Sequence, residues 1–149
     1  MAILGWAFIT SFAANCRKAG GAKYPSSNDP RRRDADLDDR DRLDLLIDLD
    51  RDYATYFRLT IDHRGWTGEA CWGDVTWNPE WFVAAAGNDE TWTIEAAIPL
   101  AELTRQPPQP RDIWAVGIQR TVPGVGFQSW TQPAAIRPRP QGFGHVVLE

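Results

Sequence analysis

Residues that hold metals or run redox chemistry are scarce in this 149-residue chain, which has two cysteines (Cys16, Cys71), two histidines (His63, His145) and one methionine. A four-ligand zinc site cannot be built from that set at the usual spacings, and one disulfide is the most that two thiols allow. Positive charge is not in excess either. Sixteen Lys and Arg stand against twenty Asp and Glu, a net charge of -4. No whole-molecule field draws in phosphates, so nucleic acid is not an expected partner. No run of eighteen apolar residues occurs, which is the length a membrane-spanning helix needs. Catalytic signatures are also missing. There is no G-x-S-x-G, no P-loop and no H-E-x-x-H, and Gly124-Val125-Gly126 lacks the third glycine and following helix of a dinucleotide fingerprint. Nothing marks two of the many carboxylates as flanking a scissile bond, so catalysis is not expected.

Tryptophan is abundant, with eight residues, a choice of large flat apolar groups over flexible fillers. With 43% hydrophobic and 24% charged residues, the composition fits one domain over residues 1–149. The opening Met1 to Asn15 imitates the apolar part of a secretory leader, but it lacks a basic start, and Ala14-Asn15 makes a poor cleavage site. Trp6, Ala7, Phe8, Ile9 and Phe12, followed by turn signals at Arg17-Lys18 and Gly20-Gly21, read instead as a buried strand. Residues 25–41 read as a charged loop. From Arg31 to Asp52 the chain packs six Arg and nine Asp into twenty-two residues, and its first half has too few apolar groups to fold alone.

Period-two alternation then dominates. Leu43, Leu45 and Ile47 alternate with Asp44, Leu46 and Asp48, and Phe57, Leu59 and Ile61 with Tyr56, Arg58, Thr60 and Asp62. The two runs predict a hairpin with an acidic loop between them. Trp92, Ile94, Ala96 and Ile98 form the clearest strand, ended by Pro99, after which one helical turn fits before Pro107. Trp114, Val116 and Ile118 resume the alternation, and Phe127 to Trp130 and Gly144 to Leu148 give two more short strands around a proline-rich loop at 131–141. Strands punctuated by Gly and Pro, with no sustained helical period, predict an all-β sandwich of two mostly antiparallel sheets, immunoglobulin-like or jelly-roll-like.

Three groups of side chains are candidates for a site. Asp48, Asp50 and Asp52 have a spacing that brings oxygens round a calcium ion, but Tyr53 and Leu59 stand where an EF-hand needs Gly and Glu. A looser calcium site or a plain charged hairpin tip are the remaining readings. Trp66, Trp72, Trp77 and Trp81 lie among Gly, Asp, Asn and Pro, a loop composition. Flat rings in loops suit a pyranose, whose C–H face is apolar and whose rim is hydroxyl, and capping the end of the sandwich is the alternative role. Finally, Asp44, Arg58, Glu95 and Gln119 fall on the polar phase of their strands. They can offer carboxylates, a guanidinium and an amide on one sheet face, able to hold sugar hydroxyls, or can make ordinary cross-strand pairs.

The segments Arg42 to Asp52, Tyr56 to Asp62, Trp92 to Pro99, Ile113 to Arg120, Ser129-Trp130 and Gly142 to Gly144, in that order and spacing, resemble the family 9 carbohydrate-binding modules and their relatives from about residue 40 to the end. The resemblance implies a β-sandwich that binds xylan, glucans or their reducing ends as the non-catalytic part of an extracellular or periplasmic polysaccharide-degrading protein, with other domains as neighbours. It places the family's sugar-contacting acid at Asp44, its arginine at Arg58 and its glutamine at Gln119. The family's two clamping tryptophans fall near Asp38 and near Ile136 or Arg137, where this chain has no indole, so Trp72, Trp77 and Trp81 are the expected substitutes. The family also carries several dozen residues before the strand matched by Ala7 to Arg17, which would leave a sheet edge in need of cover. A haem-binding relative uses a Met and a Lys, and the one Met here is the initiator, so no cofactor beyond calcium is expected. A degenerate structural or protein-interaction domain is the rival to glycan binding.

Overall fold

The computed structural model describes residues 9–20, 24, 30–130 and 135–149. Among the described residues nine strands follow in order: β1 (Ile9–Arg17), β2 (Arg42–Asp48), β3 (Phe57–Asp62), β4 (Thr67–Cys71), β5 (Phe82–Gly87), β6 (Thr91–Pro99), β7 (Ile113–Val122), β8 (Gly126–Ser129) and β9 (Gly144–Val147). One helical turn, Leu100–Leu103, follows Pro99 as expected. The strands form two antiparallel sheets. One has three strands in the order β1-β6-β5, and the other runs β4-β3-β2-β7-β8 with β9 also on β7. This is the all-β sandwich the alternation predicts. The part of the opening apolar segment at 1–8 lies outside the described residues, as do 25–29 of the charged loop and 131–134 of the proline-rich loop.

Alternation sets the layers. Leu43, Leu45, Ile47, Leu59, Ile61 and Trp114 project from the larger sheet toward Trp92, Ile94, Ala96 and Ile98 of the smaller one, and close packing between them makes the core. The opposite phase of β2 is buried too, because Leu46 lies under Phe143, Tyr53 and Tyr56 on the outer face. Gly117 permits this, since a Cβ there would come within 2.9 Å of the Phe143 ring.

Two elements escape the sequence reading. The stretch Trp66 to Trp81 is not loop throughout, since β4 occupies Thr67–Cys71 and pairs with β3 from Leu59↔Glu69 outward. β5 is an alanine-rich strand that pairs with β6 at the edge of the smaller sheet. Across this side of the sandwich, Arg31 donates to the Val83 carbonyl and Arg33 to the Pro79 carbonyl. The two arginines tie the chain beside β4 to the chain entering β5. Cys16 is buried, Cys71 is half-buried, and both are free thiols, so the single disulfide that the count allowed is not formed.

Candidate functional site

The outer face of the larger sheet carries most of the predicted polar set. In register, Asp44 faces Thr60 on one neighbour and Gln119 on the other. Asp44 is 1% exposed, and its Oδ1 accepts from Arg58 Nε at 2.9 Å and from Thr60 Oγ1 at 2.6 Å. Burial works against the Arg58 charge, but the Asp44 carboxylate outweighs it and holds the guanidinium above its usual range. A buried carboxylate with a charged donor and a hydroxyl is a satisfied group, so it fixes the arginine and does not need solvent. Gln119 is buried beside it and donates through Nε2 to the Ile136 carbonyl at 2.8 Å.

Arg58 and Thr60 form the floor of a cleft of about 390 Å³, with Gly68, Ala70 and the exposed Val75 completing it. One wall is the chain from Asp34 to Asp38. That wall is pinned at both ends. The Ala35 N–H donates to the Thr67 carbonyl at 2.9 Å, and Arg42 donates to the Leu37 and Asp38 carbonyls at 3.1 and 2.8 Å. Gly68 is needed where the wall crosses β4, since a Cβ there would sit 3.1 Å from the Ala35 oxygen. Leu37 is buried while Asp34, Asp36 and Asp38 are exposed, so every second side chain of the wall is a carboxylate at the cleft.

Among the predicted stacking residues only Trp72 is open, at 70% exposure. It follows Cys71 at the end of β4, two residues beyond the cleft-lining Ala70, and its N–H is fixed on the Tyr56 carbonyl at 2.9 Å. Trp77 and Trp81 are packed. Trp77 packs against Phe57 with ring centroids 4.8 Å apart, and Trp81 packs in the core with its Nε1 donating to the buried Glu69. Glu95 lies on β6 of the other sheet, exposed, and is not brought together with the three outer-face residues. Sequence reasoning missed the cleft wall, whose alternating Asp34, Asp36 and Asp38 were read as part of a solvated loop.

The acidic loop between β2 and β3 brings Asp48, Asp50 and Asp52 oxygens within 4.8 Å of one another, a span that fits one calcium ion with three of its six to eight oxygens. Those oxygens already have partners. Asp48 accepts the Arg51 and Tyr53 N–H groups, and Asp52 those of Ala54 and Thr55 together with the Thr55 hydroxyl. Burial pushes the Asp48 carboxyl up against the pull of its two N–H donors, while the N–H groups of Thr55 and Ala54 hold Asp52 below the usual carboxylate range.

The described residues thus form a two-sheet β-sandwich with a cleft on the outer face of its larger sheet. No protein-family model and no curated protein matches the chain by sequence, but solved structures do. A family 9 carbohydrate-binding module from Caldicellulosiruptor kristjanssonii, solved with glucose, superposes with a TM-score of 0.59 at 15% identity over 81% of this chain and 66% of the module. A second structure from that organism, a family 9 module with cellotriose, gives 0.57 at 14% identity over 81% and 65%. A Bacteroides uniformis protein provisionally named carbohydrate-binding gives 0.61 at 13% identity over 95% and 72%. The chain thus spans just under two thirds of the two family 9 modules. At such identities the likeness establishes the fold, and the expected family-9-like sandwich is borne out at that level.

Proposed function

We propose that this domain binds glycans in the outer-face cleft without turning them over. The observation that carries the reading is the Arg58 fork, oriented by a buried Asp44 and 34% exposed on the cleft floor, with the exposed Trp72 two residues along the chain from the cleft-lining Ala70. A guanidinium held from behind can donate to adjacent sugar hydroxyls at little entropic cost, and an exposed ring can cover the apolar face of a pyranose. Thr60 and the wall carboxylates supply further polar partners. In this reading Asp44 and Gln119 act as positioning residues for the face, and the solved glucose and cellotriose complexes of like-folded modules favour β-glucan or xylan-type chains. Such polymers stay outside the cell, so a role in extracellular or periplasmic polysaccharide catabolism, alongside other domains, goes with the proposal.

Gel retardation in soluble xylan and mixed β-glucan tests it, together with Arg58→Lys, which keeps the charge and loses the fork. Retarded wild type and an unretarded variant are expected. A wild type that migrates as it does without polymer overturns the reading and favours the interaction-domain rival, for which the exposed Val125, Trp130, Ile136 and Val147 provide contact surface. Reducing-end release from the same polymers would overturn the non-catalytic part.

A further inference from the structure

We infer that the cleft selects its sugars by charge, preferring glycans that carry a protonated amine over neutral ones and turning away uronic acids. The inference rests on the reading of the cleft as a glycan site and goes beyond it in naming the class.

The charges come from the cleft itself. Asp34, Asp36 and Asp38 line the wall, and among the described lining residues Arg58 is the one cation. Its charge is matched by Asp44 at 2.9 Å. Arg42 lies 3.3 Å from Asp38 and 3.8 Å from Asp44. The fifth carboxylate at the cleft, Glu69, is buried with Arg33 at 3.8 Å, so five carboxylates meet three guanidinium groups, which leaves Asp34 and Asp36 without a cation within salt-bridge distance among the described residues. These charges are not on a free tail. Burial of Leu37, the Ala35 bond to β4 and the Arg42 bonds to Leu37 and Asp38 fix the backbone that carries them, and the Asp38 N–H is capped by the Asp36 carboxylate at 3.1 Å. A fixed negative wall across a cleft attracts an ammonium on the ligand and repels a carboxylate, while both effects are screened because the wall is exposed. Roughly three- to tenfold steps between classes are expected at low salt, shrinking at about 0.5 M salt.

Calorimetric titration of the full chain with three β-1,4-linked tetramers, of glucose, glucosamine and glucuronate, separates the possibilities. The titrations are made at about pH 5.5, where the sugar amine is protonated and carboxylates are ionised. The tetramers share linkage and differ in the charged substituent. The expected order of affinity is glucosamine over glucose over glucuronate. Asp34→Asn with Asp36→Asn should collapse that order, because Asn tolerates the positive φ of 53° at Asp34 and keeps the acceptor that Asp36 offers to Asp38. Asp89→Asn with Glu90→Gln, the same change in net charge on a distant turn, should leave the order intact. Glucuronate equal to or tighter than glucose, or an order that survives loss of the two wall charges, overturns the inference while the glycan site stands. Failure of all three tetramers to bind overturns the glycan site and the inference with it.

Discussion

Asp41 and Asp44 stand three residues apart, both buried and both against an arginine, yet they do different things. Asp41 points between the sheets, where it accepts from Arg120 through Nε and Nη2 at 2.8 and 2.6 Å, from Tyr24 at 2.6 Å and from the Trp92 indole at 3.2 Å. Asp44 points outward to Arg58. The carboxylates are equally hidden at 1% exposure, while the arginine side chains are 9% and 34% exposed. Strand phase sets the face on which each pair lies. A residue in step with Leu43 is sealed in the core and holds the sheets together, and a residue in step with Leu46 presents its partner at the surface. A pair of the same chemistry is thus a structural clamp in one place and a mount for a binding group in the other.

The comparison breaks most visibly under substitution. Asp41→Ala strands a buried guanidinium and should cost about 3–5 kcal/mol in urea unfolding, whereas Arg58→Ala leaves Asp44 its Thr60 hydroxyl and should cost only about 1–2 kcal/mol while abolishing glycan retardation. Equal costs would mean that exposure of the arginine does not distinguish the two pairs.

Tryptophans sharpen the same contrast between packed and presented groups. Trp77→Ala, removing a ring packed on Phe57, should cost about 3 kcal/mol by thermal melting with affinity kept below the melting range. Trp72→Ala should change stability by less than about 0.5 kcal/mol and weaken glycan binding severalfold, as read by titration.

Smaller effects come from the acidic loop. Asp52 has a lowered folded-state pKa, so its stabilisation is complete above the unfolded carboxylate range near pH 4 and is lost as pH falls through the lower folded value. Asp48, raised by burial, has the opposite sign and binds its proton more readily in the fold. Protection factors for amide exchange at Ala54 and Thr55, which divide out the intrinsic pH dependence of exchange, should therefore fall below about pH 4, and protection that stays flat would contradict the assigned N–H bonds. Because the loop carboxylates already have donors, calcium at about 1 mM should move the melting temperature by less than about 1 °C. A larger rise would show that the ion displaces those bonds.

Much of the frame was legible before the structure. β2, β3, β6 and β7 each show one apolar and one polar phase, and their bounds follow from Pro99 and the turn residues. β4 was not legible because its inward residues are Thr67 and Glu69 and its outward ones Gly68 and Ala70, which leaves no hydrophobic alternation to read. β5 hid for a similar reason, its run of three alanines carrying little contrast. For the site, phase placed Asp44, Arg58 and Gln119 outward, and they do share a face. Glu95 is also outward, but a sandwich has two outer faces, and phase cannot say which sheet a strand joins. Composition likewise could not separate the exposed Trp72 from the packed Trp77 and Trp81, since burial depends on partners distant in sequence, Phe57 and Glu69.

Backbone and indole chemical shifts followed during titration with a soluble β-glucan oligosaccharide test the cleft most directly. The account predicts that the largest changes gather at Arg58, Thr60, Gly68, Ala70 and the Trp72 indole and disappear in Arg58→Ala. Changes centred on the opposite sheet around Thr93 and Glu95, or none at saturating sugar, would contradict it.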